Sequence, residues 1–159
     1  MVRLTLITVG SLKEEGLRSL CAEYAKRLGA FCALRVVELK EEPIRDEGSA
    51  KLIAAALAAE GRRILEAIPP SSFRIALAVE GKMPASEELA ALIGRAGDTH
   101  GAITLIIGSS YGLSDEVKAA CDARISLSRL TFPHQLARLV LLEALYRSYT
   151  ILSGKKYHK

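Results

Sequence analysis

The chain reads as an α/β protein, a mainly parallel sheet sandwiched by helices. Three observations predict this. Short apolar runs of strand character recur five times along the 159 residues. Between them lie segments whose apolar residues return every three or four positions, the spacing of one helix face. The two kinds of segment alternate throughout, the order of a layered α/β architecture rather than of a hairpin-built sheet. At this length a single domain spanning residues 1–159 is expected, large enough for a real core.

Each element has its own justification. Val2, Leu4 and Leu6 alternate with Arg3 and Thr5, predicting a first strand that ends at Gly10. Leu17, Leu20, Cys21, Tyr24 and Leu28 fall on one helix face, with Gly29 as its C-cap. Residues 32–39, containing Leu34, Val36 and Val37, predict a second strand. The polar stretch 41–48, with Pro43 and Gly48, is a loop, and Ser49 caps a helix running to about Ile68. Its buried side is expected to hold Ile53, Leu57, Ile64 and Ile68, and Pro69-Pro70 stops it. Residues 74–79 are apolar enough for a strand covered on both faces, with Glu80-Gly81-Lys82 turning out of it. Ser86 is the expected cap of a short helix carrying Glu87 and Glu88 in its first turn, followed by a loop at 97–101. Residues 102–107 predict a fourth strand at the centre of the sheet. Ser114 caps the next helix, Ile125 and Leu127 mark a fifth strand, and Pro133 suits the first turn of a last helix. That helix runs to about Leu152 and is closed by Gly154.

Ligands of open parallel sheets bind beyond the C-terminal strand ends. Three loops leave such ends, at 78–82, 108–112 and 128–132, and they are the expected walls of a site. Alone, each also reads as an ordinary turn: the 108–112 loop has two glycines but neither a dinucleotide fingerprint nor a P-loop.

Charge is unevenly placed. The chain has 22 Lys and Arg against 18 Asp and Glu, yet from Arg124 onward there are seven basic residues and one acid, Glu143, leaving 15 against 17 before it. A basic C-terminal segment on a slightly acidic body suits an anionic partner, or equally a solvated cationic tail. Lys155-Lys156-Tyr157-His158-Lys159 adds rings able to stack on bases to cations able to pair with phosphates. The final helix is apolar over much of its circumference, which implies either a second subunit or a central place in a monomer. Cys21, Cys32 and Cys121, like His100, His134 and His158, are scattered without metal-ligand spacing, so no metal is expected. No apolar run approaches a membrane span, and the N-terminus lacks signal-peptide features, so a cytoplasmic protein with no membrane association is expected.

Several segments together carry more information than any one. They are Leu105-Ile-Ile-Gly-Ser-Ser-Tyr-Gly-Leu113, Ser126-Leu-Ser-Arg-Leu-Thr-Phe-Pro-His-Gln-Leu136, Arg138, Glu143-Ala-Leu-Tyr-Arg147 and the terminal Tyr157-His158-Lys159. With the opening Ile7-Thr-Val-Gly10 and Tyr24-Ala-Lys-Arg-Leu28, they resemble the RlmH family of small SPOUT-class methyltransferases over essentially the whole chain.

The resemblance implies an S-adenosylmethionine-dependent enzyme that methylates N3 of a pseudouridine in 23S rRNA on the assembled ribosome. It implies a C-terminal trefoil knot and a homodimer with each site near the subunit interface. The cofactor is then expected against Leu77, Gly108, Leu127, Ser128, Arg129, Leu130, Thr131 and Phe132. N3 must lose a proton before it attacks. His158 is the expected base, Tyr157 stacks on or orients the target, and Arg138 stabilises the anion developing on the uracil oxygens. Lys155, Lys156 and Lys159 are expected to bind RNA phosphates, and His134 to be structural. The chain departs from the family pattern at Ala78, where an acid is usual, at Ser109, where a second glycine is usual, and at Ala144, where a glutamine is common. The Ala78 and Ser109 departures leave open a non-catalytic ribosome-associated binder of the same fold, and a small nucleotide-binding α/β protein with another ligand is a second alternative.

Overall fold

The computed structural model describes residues 1–157. Ten elements alternate strand and helix: β1 (Val2–Val9), α1 (Glu15–Leu28), β2 (Cys32–Leu39), α2 (Ala50–Ala67), β3 (Phe73–Lys82), α3 (Ser86–His100), β4 (Ala102–Ile107), α4 (Asp115–Ala119), β5 (Ala123–Ile125) and α5 (His134–Leu152). All pairings in the sheet are parallel, in the order β2-β1-β4-β3-β5, so β4 is central as expected and all six of its residues are buried.

Strand alternation divides the core into two. Leu4, Leu6, Ile103 and Leu105 point to the face covered by α1, α3 and α5, where they meet Leu28, Ile93, Leu141, Leu142 and Leu145. Ile7, Val9, Ala76 and Ile106 point to the other face, against Ile64 of α2 and Val117 of α4. Because α5 lies against both α1 and α3, much of its apolar circumference is covered within one chain. Leu136 and Leu152 remain exposed at its two ends.

Several boundaries differ from the sequence reading, each for a local reason. The N-cap of α3 is Ala85, not Ser86; the Glu88 carboxylate accepts from the Ala85 backbone N–H at 2.7 Å and supplies the cap from inside the helix. The expected loop at 97–101 is helical to His100, and the left-handed Gly101 (φ 65°) is its C-cap. Gly29 sits at the C-cap of α1 but is right-handed (φ −58°). On α2, Ile53, Leu57 and Ile68 are only half-buried; the fully buried residues are Ala56, Glu60, Gly61 and Ile64. Ser49 and Ser114 cap their helices as expected, through bonds from Leu52 and Val117 N–H.

The largest difference lies in β3, which continues through Glu80-Gly81-Lys82 instead of turning there. Ile125 of β5 pairs with Leu77 and, across a register shift, with Lys82, and Ser126 N–H donates to the Lys82 carbonyl at 2.7 Å. The chain at 78–82 thus bows out around Ile125. A Cβ on Gly81 would lie 2.6 Å from the Ile125 carbonyl carbon, so this crossing needs glycine.

Candidate active site

The C-terminal ends of β3, β4 and β5 enclose a cavity of about 290 Å³. All three expected loops contribute to it. Leu77 lines it from β3 and Gly108 from the end of β4, and Leu127, Ser128, Leu130, Thr131 and Phe132 line it from the loop before α5. Arg129, expected with them, is exposed and does not line it.

The walls are built by local chemistry. A Cβ on Gly108 would fall 2.1 Å from the Gly112 carbonyl oxygen, because residues 108–112 fold back on themselves through a Ser109–Gly112 bridge. Only glycine permits that closure, and it leaves backbone facing the cavity. In the 126–132 loop, Ser126 Oγ donates to the Ser128 carbonyl at 2.9 Å and Ser128 Oγ accepts from Leu130 N–H at 3.0 Å. These turns use hydroxyls to hold an irregular backbone in place. Apolar Leu127, Leu130 and Phe132 therefore sit beside backbone amides and carbonyls, a surface able to take both the face and the hydrogen-bonding edge of a heterocycle.

Some lining residues did not stand out in the sequence. Glu80 and Lys118 form an ion pair at 2.8 Å across the cavity wall. The Glu80 carboxyl is held below the usual carboxylate range, first by its bond from Lys118 and then by a backbone N–H. Glu80 falls two residues beyond Ala78, so strand alternation was a usable signal once β3 was known to continue. His134 and Tyr111 also face the cavity, with His134 Nδ1 lying 3.5 Å from Ser110 Oγ. Behind the wall, buried Glu60 accepts from Ser109 Oγ at 2.8 Å and from Glu42 N–H at 2.9 Å. The Ser109 departure from the glycine pair thus has a partner that no local pattern reveals, 49 residues away in sequence.

Of the residues expected to act on substrate, Arg138 and Tyr157 are placed elsewhere within one chain. Arg138 is 5% exposed and lines the interior of the N-terminal half of α5, not the cavity. Its guanidinium donates to Glu38 Oε2 (2.8 Å), Thr8 Oγ1 (2.9 Å) and the Gly10 carbonyl (3.2 Å), locking α5 to the ends of β1 and β2. Tyr157 folds back on the middle of α5. Its hydroxyl lies 3.3 Å from Glu143 Oε1, its ring meets Tyr146 edge-on at 4.8 Å, and Arg147 lies over it at 4.9 Å. Its phenol is pushed up to about 12, chiefly by a hydrogen bond with Tyr24 and then by burial. Glu143 is nine residues along α5 from His134, roughly 13 Å down the axis, so this docking keeps Tyr157 away from its own chain's cavity. Lys156 is exposed; Lys155 is exposed and lies over the Phe31 ring at 4.7 Å. His158 and Lys159 lie outside the described residues. Among the described residues no cluster of His, Cys, Asp and Glu could hold a metal ion, and no helix is long and apolar enough to cross a membrane.

Comparison with known proteins gives this geometry a family. The model of a family described as "Predicted SPOUT methyltransferase" matches residues 2–158. The chain is 48% identical to the ribosomal RNA large subunit methyltransferase H of Bifidobacterium adolescentis, over 99% of this chain and all of that one. It is 45% identical to the protein of the same name from Clostridium novyi, again over 99% and 100%. In fold it is similar to the crystal structure of a probable methyltransferase from Bordetella pertussis Tohama I, with a TM-score of 0.60 and 19% identity over 93% of this chain and 95% of that one. The chain belongs to the RlmH family of SPOUT methyltransferases.

Proposed function

We propose that this protein transfers a methyl group from S-adenosylmethionine to N3 of a pseudouridine in the 23S rRNA of the assembled ribosome, in the cytoplasm. The observation that carries the reading is the cavity itself. Seven of the eight residues expected to hold the cofactor converge on it from three separate segments, in a chain whose relatives bear the name of a large-subunit rRNA methyltransferase. The residues present suit an adenosine group. Gly108 offers backbone without a side chain, the 126–132 loop offers amides and hydroxyls, and Leu127, Leu130 and Phe132 offer apolar faces. When bound, S-adenosylmethionine supplies an electrophilic methyl group on a sulfonium.

The protein's own part is to place the target ring and to manage one proton. The N3–H bond must lose its proton as the nitrogen attacks. We assign that proton to His158, with Tyr157 stacking on or orienting the ring and Lys155, Lys156 and Lys159 pairing with phosphates of the RNA. Since Tyr157 docks away from its own cavity, the tail reaches the site of a second copy, and the working unit is a homodimer. Val79 and Leu130, 86% and 75% exposed at the cavity mouth, are apolar surface of the kind that a second subunit or a bound base would cover. Arg138, with its fork committed to Glu38, Thr8 and Gly10, acts by holding the start of α5 and the loop before it in position. A C-terminal trefoil knot is part of the same reading.

The test is methyl transfer to intact ribosomes from a strain deleted for this gene, with the rRNA nucleosides analysed by mass spectrometry. Expected is one new methylpseudouridine, formed by the wild-type chain and lost or severely reduced in His158→Ala. Methylation of a different base, or none with cofactor bound, overturns the proposal.

A further inference from the structure

Apart from the His134 imidazole, the cavity walls are hydroxyl, backbone and apolar surface except at one place. Of the Asp, Glu, Lys and Arg side chains, only Glu80 and Lys118 line it among the described residues. They come from different elements, the bowed extension of β3 and the helix α4, and meet at 2.8 Å. Neither is used by the fold's core. The Lys118 side chain is 19% exposed and that of Glu80 45%, so the pair sits at the boundary between cavity and solvent. An ammonium has three donors and a carboxylate two oxygens, and their mutual contact uses one of each. With the backbone N–H that Glu80 also accepts, the pair still keeps further ammonium donors and unused carboxylate lone pairs for a ligand that carries both signs of charge side by side.

An amino acid is such a ligand. We propose that Glu80 and Lys118 recognise the amino-acid end of the methyl donor, with Lys118 donating to the α-carboxylate and Glu80 accepting from the α-ammonium. This rests on the reading of the cavity as an S-adenosylmethionine site and adds an orientation to it. The adenosine is held by the apolar and backbone surface of the 126–132 loop and by Gly108, and the zwitterion is held by the ion pair on the β3–α4 side. A purely structural pair would merely tie the five-residue helix α4 to β3 and would not distinguish one ligand from another.

Calorimetry on the full chain separates these roles. S-Adenosylhomocysteine and methylthioadenosine share the adenosine and the thioether, and only the first has the amino-acid group. The wild-type chain is expected to bind S-adenosylhomocysteine on the order of tenfold more tightly, the worth of a charge-assisted contact. In Lys118→Met and in Glu80→Gln that preference falls to within about threefold, through weaker S-adenosylhomocysteine binding alone, while Lys118→Arg keeps most of it. A measurement on the unaltered chain guards against variants that fold poorly: decarboxylated S-adenosylhomocysteine, which lacks the α-carboxylate, is also expected to bind on the order of tenfold more weakly than its parent. An unchanged preference in both variants, parallel weakening of both ligands, or full affinity for the decarboxylated ligand overturns the assignment. A wild-type chain that binds neither adenosine ligand overturns the cofactor reading first and this inference with it.

Discussion

Ser109→Ala isolates the contact between the cavity wall and the interior. Glu60 is 3% exposed, and its two oxygens accept from Ser109 Oγ at 2.8 Å and from Glu42 N–H at 2.9 Å. Removing the hydroxyl strands one carboxylate oxygen in a buried space. Hydrogen bonds to charged groups contribute about 1.5–3 kcal/mol, so a loss of about 2 kcal/mol is expected. For a domain of this size that corresponds to roughly 4–8 °C in Tm. Urea unfolding followed by circular dichroism should show the midpoint falling with the slope unchanged. Glu60→Gln is the informative control. Its amide oxygen can still accept from Glu42 N–H and its NH2 can donate to the Ser109 hydroxyl, so it should cost less than about 1 kcal/mol. The double variant should then show coupling on the order of 1 kcal/mol, as for groups in direct contact. The reasoning is refuted if Ser109→Ala stays within about 0.5 kcal/mol of wild type, or if Glu60→Gln costs more than Ser109→Ala.

Arg138→Met should lower stability by about 2–4 kcal/mol in the same experiment, since it strips partners from Glu38, Thr8 and Gly10 at once, and Arg138→Lys should recover less than half because an ammonium cannot span the fork. Gly81→Ala should prevent the close crossing of β3 over Ile125, so loss of folded protein in expression trials is expected, whereas Gly16→Ala, with open space around its Cβ, should fold normally. Burial pushes the Cys32 thiol up to about 11 from an ordinary 9.0, so Cys32 in the native protein should resist thiol reagents at pH 8 that label it in the unfolded chain, read by peptide mapping. The sign for stability follows from the same shift: above about pH 9 the unfolded chain ionises this thiol while the folded chain keeps its proton, so stability should fall as pH rises from 9 towards 11.

How much of the site was legible depended on whether its chemistry was local. Gly108 and the 127–132 loop were readable because strand-end position and turn composition mark such walls within a few residues of sequence. Glu60 was not. It shares the helix face of Leu57 and Ile64, but a carboxylate there reads as a break in the apolar stripe, and its partner is a serine 49 positions later. Lys118 carried no signal in the sequence, and Glu80 read as part of a turn; the continuation of β3 past it brings the two together.

The sequence alone determined the alternation of five strands with five helices, the central place of β4, the caps at Ser49 and Ser114 and the family. Periodicity, capping and motif spacing are properties of neighbouring residues, and they survive folding unchanged. Tertiary structure decided the bow of 78–82 around Ile125, the closure of α5 on β1 and β2 through Arg138, and the docking of Tyr157 on its own helix. Each of these depends on which distant backbone or side chain comes within a few ångströms. Only the packed chain sets those distances, because it must pair every group that it buries.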